Sequence, residues 1–228
     1  FKFWFHLSKK QMKTRLKVLA QDPLRSWRIT PLDWQQSKTY DKFVRHGEHM
    51  LRQTSRDYAP WYIIEGSDQN YRALTVGRLL LEGLQAALRP SAAKPEQPHA
   101  ATIGANLEEH QLLASLNMRQ GLEKDHYQRQ LTLEQARLAG LMRHKRMRRH
   151  ALIAAFEGND AAGKGGAIRR VAAALDPRQY HIVPIAAPTE EERAQPYLWR
   201  FWRHIPPRGK FTIFDRSWYG RVLVERIE

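Results

Sequence analysis

The chain has 228 residues, 42% of them apolar, with 7 Trp, 8 Tyr and 8 Phe, enough for a packed core and too apolar for a disordered chain. It contains no cysteine, which excludes thiol nucleophiles, disulfide frameworks and cysteine-held zinc or iron–sulfur centres. The excess of 38 Lys and Arg over 23 Asp and Glu gives a net charge of +15, so a polyanion is the expected partner, whether nucleic acid, anionic lipid or condensed phosphate.

Phe1, Phe3, Phe5 and Leu7 alternate along the opening segment, so residues 1–7 read as a strand. This segment lacks the basic leader and cleavage site of a signal peptide, and no apolar run approaches the roughly 18 residues of a membrane span. A cytoplasmic protein without a membrane partner is expected. Ser8 with Gln11 forms a capping pattern, and Met12, Leu16 and Leu19 follow at helical spacing. Thr30-Pro31-Leu32-Asp33 starts a second, long polar helix running to about Thr54. Pro60 to Ile64 reads as a short strand. Ser67 and Asp68 then cap a helix carrying Tyr71, Leu74, Leu81, Leu84 and Leu88. Residues 89–104 (RPSAAKPEQPHAATIG) are proline-rich without an apolar face, and read as a linker.

Beyond it, Tyr127, Leu131, Leu138, Leu141 and Met142 mark a long helix ending in the basic cluster Arg143, Lys145, Arg146, Arg148 and Arg149. That cluster reads as a solvated helix end whose cations suit the dipole, with anion binding as the alternative. Ala151 to Phe156 is a continuous apolar run of buried parallel-strand type, followed by a glycine-rich turn and a helix to Leu175. Tyr180 to Ala187 is a second strand, Thr189 and Glu192 form a capping box, and Phe211 to Phe214 is a third strand. Strand and helix alternate, so the expected fold class is α/β, a doubly wound parallel sheet flanked by helices.

The turn Gly158-Asn159-Asp160-Ala161-Ala162-Gly163-Lys164-Gly165-Gly166 fits G-x-x-x-x-G-K between a strand and a helix. In that context, backbone N–H groups turn inward on phosphate oxygens, the helix start adds positive potential, and Lys164 reaches the phosphates. All of these residues except Asp160 are therefore candidate phosphate-binding positions, with a plain strand-to-helix turn as the alternative. Gly165 stands where Ser or Thr would offer a hydroxyl to Mg²⁺, so Asp160 is the candidate replacement ligand, or otherwise a turn-capping residue. The third strand delivers Asp215 to its carboxyl end, in a Walker-B-like arrangement that lets it share the metal. Arg216 is placed to neutralise a phosphoryl group, or to pair with Asp215.

Three stretches, GNDAAGKGG at 158–166, APTEEERAQPYLWRFWRHIP at 187–206 and FDRSWYGRVLVERIE at 214–228, resemble the polyphosphate kinase 2 family. The resemblance implies a P-loop fold that moves phosphate between inorganic polyphosphate and nucleotides, with phosphate and metal roles for Asp160, Lys164, Asp215 and Arg216. Arg221 and Glu225 also fall on the family pattern. KFWFHLSKKQMKTRL, DPLRSWRITPLDW and TSRDYAPWYIIEGSD resemble the other end of such a domain. The chain then divides into residues 1–88, the closing part of one repeat, the linker 89–104, and 105–228, the opening part of a second. The first repeat departs from the pattern at Gln69, where Lys is usual, and at Ala73, where Arg is expected.

This reading implies transfer of the terminal phosphoryl group of polyphosphate to an adenine nucleotide, AMP giving ADP, with Mg²⁺. The alternatives are a polyphosphate-dependent nucleoside diphosphate kinase, an ATP-dependent P-loop nucleotide kinase, and a nucleic-acid-binding module using residues 143–149. Gly165 argues against the ATP-dependent enzyme. The Trp and Tyr residues read as core and not as base-stacking platforms, which argues against nucleic acid. A homo-oligomer stays open. The chain opens on Phe1 within an alternating pattern and stops at Glu228 within an apolar and basic run, so it reads as a fragment without the lid expected after Glu228. Alone, such a fragment is expected to be marginally stable and inactive; the closing part of one repeat could dock on the opening part of the next, and the sequence leaves that packing open.

Overall fold

A computed structural model describes residues 1–23, 26, 29, 31–89 and 112–223. Most of the proline-rich stretch and Glu225 lie outside the described residues. Lys2–His6 forms β1, Lys9–Gln21 α1, Pro31–Lys38 α2, Tyr40–Thr54 α3, Trp61–Glu65 β2 and Gln69–Leu88 α4. Then follow Lys124–Arg143 as α5, Leu152–Gly158 as β3, Lys164–Ala172 as α6, Tyr180–Pro184 as β4 and Phe211–Asp215 as β5. Single turns at Glu190–Arg193 (α7), Trp199–Trp202 (α8) and Gly220–Leu223 (α9) complete the helices. Among the described residues no helix is long and apolar enough to cross a membrane.

The five strands make one parallel sheet in the order β2-β1-β3-β5-β4. Residues on both sides of the proline-rich stretch thus share a sheet: β1 pairs with β3 from Lys2 opposite Ala155 to Phe5 opposite Gly158. The crossover from β1 leads outward to β2 and that from β3 leads the other way to β4. The sheet therefore has a switch point between β1 and β3, where loops splay and leave a crevice.

Alternation along β1 sets the two layers. Phe3, Phe5 and Leu7 face a core with Tyr62, Ile64, Phe156 and Ile213, covered by α1, α4, α5 and α6. Trp4 and Trp61 face the other side, against Met50, Leu51 and Leu223. Phe3 and Phe156 lie 5.0 Å apart between ring centroids, within the range where aromatic pairs attract beyond their area.

Ser8 caps α1 as its spacing to Gln11 predicts: its hydroxyl accepts from Gln11 N at 3.3 Å, and Gln11 Oε1 accepts from Ser8 N at 3.3 Å. Ser8→Ala is expected to lower stability by about 1 kcal/mol, the usual cost of losing such a cap, read from urea unfolding midpoints.

Three sequence expectations change. The helix expected over 30–54 is two helices separated at Thr39, whose ψ of 11° leaves the helical region. The basic cluster does not continue α5: His144 turns extended, and Lys145–Arg149 forms a separate 3-10 turn whose Met147 is buried. There Arg146 donates to Leu88 O at 2.6 Å, tying α4 to the cluster. The aromatic residues are not uniformly core, since Tyr58 is 86% and Trp202 58% exposed.

Candidate active site

Because every strand points the same way, the segments following β1, β2, β3 and β5 gather at one edge of the sheet. The loop after β3 is bent by three positive φ angles: Gly158 at 127°, Ala161 at 58° and Gly163 at 98°. A side chain on Gly158 would approach Phe5 O to 2.0 Å, so this glycine is required both by its φ and by the close approach of β1. Asn159 N extends the ladder by donating to Phe5 O at 3.0 Å. Gly163 is the N-cap of α6, so the helix opens at this edge of the sheet, where its first amides, ahead of Gly166 N, have no intrahelical acceptor.

Lys164 opens α6 and is 9% exposed. Its Nζ folds across the loop, donating to Gly158 O at 2.9 Å and Asn159 O at 3.0 Å, and stands 4.0 Å from Asp160 Oδ1. Asp160 Oδ1 also accepts from Arg216 Nη2 at 2.9 Å. Arg216 directly follows β5 and holds a φ of 66°, a strained conformation for an arginine that surrounding contacts must maintain. It therefore bonds the loop carboxylate, whereas pairing with Asp215 was the alternative expected from sequence. Asp215 is partly exposed at the end of β5, opposite Phe156 of β3.

Of the eight loop residues expected to bind phosphate, two turn their side chains away from the crevice. Ala162 is fully buried in the main core, and Asn159, 2% exposed, turns its Oδ1 inward without a partner. At Gly165 a side chain would meet no atom within 4 Å, so the position usually bearing a hydroxyl opens onto free space.

Glu157, the last side chain of β3, went unread because it ends an apolar run. It is buried, and one carboxylate oxygen accepts from both Ser217 N and Ser217 Oγ at 2.7 Å. That pair of bonds anchors the turn in which Arg216 is strained. Burial raises the Glu157 pKa to about 7, against the opposing pull of Ser217, Lys164 and Arg216. A carboxylate directly preceding G-x-x-x-x-G-K was the signal available for it.

Three arginines brace the loop from outside. Arg15 of α1 donates to Ala161 O at 2.7 Å, Gly66 O at 3.0 Å and Ser67 O at 2.7 Å. Arg72 of α4 donates to Gly66 O at 2.8 Å. Arg170 donates to Gly166 O at 2.9 Å and to the Tyr127 hydroxyl. Gln69 opens α4, and Ala73 is buried with Leu74 and Tyr127, so the guanidinium near the expected position belongs to Arg72.

Two blocks of the sequence, residues 1–92 and 121–228, match polyphosphate kinase 2. The chain belongs to the polyphosphate kinase 2 family. Among its relatives, polyphosphate:AMP phosphotransferase of Pseudomonas aeruginosa is 72% identical over 228 residues, covering all of this chain and 46% of that protein. The protein of the same name from Pseudomonas syringae pv. tomato is 73% identical over 231 residues, again covering the whole chain and 46% of that protein. A crystal structure of a polyphosphate kinase 2 from Pseudomonas aeruginosa aligns with a TM-score of 0.51 at 66% identity, over all of this chain and 42% of that one. The chain thus spans about half the length of the curated relatives it matches.

Proposed function

We propose that this chain carries a site for transferring the terminal phosphoryl group of inorganic polyphosphate to AMP, giving ADP. The observation that carries the reading is the meeting of Lys164, Asp160 and Arg216 across the phosphate loop in a chain whose relatives are named polyphosphate:AMP phosphotransferase. An oxygen of the AMP phosphate attacks the terminal phosphorus. The bond to the bridging oxygen breaks, and the shortened polyphosphate leaves with that electron pair. The AMP phosphate is already anionic near neutral pH, so no base is needed. The work left to the protein is alignment and neutralisation of charge.

The loop amides and Lys164 hold the phosphates, and Arg216, released from Asp160, neutralises the group in transfer. Asp160 and Asp215 suit magnesium: it takes one or two carboxylates and completes its shell with water and phosphate oxygens. When bound, magnesium would offset the charge of the phosphates. Residues 1–88 are read as the closing part of one kinase-like repeat and 105–228 as the opening part of a second, a division supported by the two-block family match.

The direct test is to supply the protein bearing this sequence with polyphosphate, AMP and Mg²⁺ and to follow ADP by chromatography. ADP formed from ATP and AMP, with none from polyphosphate, would reject the assignment. Asp160→Asn keeps an oxygen that can accept from Arg216 but loses the charge. It is expected to raise the Mg²⁺ concentration giving half-maximal rate by about tenfold, with a smaller change in KM for AMP. An unchanged Mg²⁺ requirement would leave Asp160 as a partner of Arg216 alone.

A further inference from the structure

Arg72 is 6% exposed, yet it makes little use of its charge. Its Nη1 bonds Gly66 O, while its Nε is shielded from solvent and has no hydrogen-bond partner. The Nε, Cζ and Nη2 atoms are those nearest the position a side chain on Gly163 would take, at 2.0, 2.1 and 2.5 Å. The guanidinium therefore lies against the N-cap of α6, with the side by which arginine forks an oxyanion turned to the loop.

Its surroundings deepen the imbalance. Arg15 and Arg170 stand nearby, and among the described residues every hydrogen bond these three guanidiniums make goes to a carbonyl or a phenol. Among the described residues, none of the three forms an ion pair with a carboxylate. Asp68 attracts Arg72 and Arg15, but its Oδ1 is committed to capping α4, accepting from Tyr71 N at 2.6 Å. Burial, then repulsion from Arg15 and Arg170, pulls the Arg72 pKa down to about 10. A buried guanidinium with no directly paired carboxylate and an unbonded Nε is costly, and packing alone would be served better by a neutral side chain of similar size.

We propose that Arg72 is a further phosphate-binding residue of this site, positioned together with the loop by Arg15, and that its ligand is an oxyanion of condensed phosphate. The identity of that anion rests on the proposed function; the binding role rests on the buried guanidinium beside the loop, with its Nε unbonded and no carboxylate paired to it directly. Arg15 and Arg72 share the Gly66 carbonyl, and Arg15 also bonds the carbonyl of Ala161, the loop residue at positive φ. One knot thus fixes the guanidinium relative to the loop amides.

The test uses tripolyphosphate as probe, titrated calorimetrically into the protein, its Arg72→Gln and Arg72→Lys variants, with thermal melts of each in ligand-free buffer. Arg72→Gln is expected to weaken tripolyphosphate binding at least about tenfold while its ligand-free melting temperature stays level or rises. Arg72→Lys, which keeps the charge and loses the fork, should fall between. AMP affinity should stay within about twofold of the parent; an equal loss for AMP would overturn the assignment to condensed phosphate. Tripolyphosphate affinity within about twofold of the parent, or weakened binding with a lowered melting temperature, would overturn the binding role. Arg72-dependent tripolyphosphate binding in a protein that makes no ADP would remove the proposed reaction and leave this site standing.

Discussion

Lys164→Ala is expected to cut polyphosphate-dependent AMP phosphorylation by about 10²–10³-fold, the usual loss when one pre-aimed donor to a developing charge is removed. The Lys164 ammonium is held by two loop carbonyls at 2.9 and 3.0 Å. It therefore waits in place, and no ordering cost is left to the moment of reaction. Asp215→Asn is expected to fall in the same range for a different reason, since under the proposed function it would leave Asp160 as the remaining carboxylate for magnesium. In both variants the fold should hold, because Lys164 sits at the start of α6 and Asp215 at the end of β5, both outside the apolar clusters. The check is kcat/KM for AMP at saturating polyphosphate, with circular dichroism as the control for folding. Either variant keeping more than a tenth of the parental kcat/KM would refute the assigned roles.

The parts of this site that could be read from sequence are those whose physics is local. A run such as Leu152 to Phe156 is apolar on both faces because a central parallel strand is covered on both faces. A loop with glycine at positions 158 and 163 is legible because few other residues tolerate its φ angles. The unread parts are those in which distant segments meet. Arg15 bonds Ala161 across 146 residues of sequence, and no periodicity in α1 distinguishes it from the other basic residues of that helix. Nothing in the sequence of α4 separates Arg72 from an ordinary helical cation beside the departure at Ala73. Its meaning comes from the switch point between β1 and β3, which places the start of α4 against the start of α6. Arg216 was legible as a candidate, but its bond to Asp160 was not. That bond depends on a φ of 66°, and the turn is held there by Glu157 through Ser217.

Glu157 gives a stability signature opposite to that of an ordinary salt-bridged carboxylate. Its pKa is raised from 4.5 to about 7, by burial first, with Ser217, Lys164 and Arg216 pulling the other way. In the folded protein the group therefore keeps its proton over a range where the unfolded chain has already lost it. Its contribution to stability is complete below about pH 4.5 and is lost as pH rises through 7. Each pH unit between those values is worth about 1.4 kcal/mol, so the loss by pH 8 is of order 3 kcal/mol. Glu157→Gln keeps a side-chain oxygen able to accept from Ser217 N and Oγ but cannot ionise. The variant is expected to be more stable than the parent at pH 8 by up to about 3 kcal/mol, with the advantage shrinking as pH is lowered to 5. Urea unfolding of both proteins across that range measures the difference directly, and comparing them at each pH cancels the titration of every other group that the substitution leaves alone. An advantage independent of pH would mean that Glu157 does not titrate between 5 and 8, and that its carboxylate is carried ionised in the folded protein by Lys164 and Arg216. In that case the strained Arg216 would be held by charge as well as by the Ser217 turn, and Glu157→Gln should lower transfer activity together with Arg216→Gln.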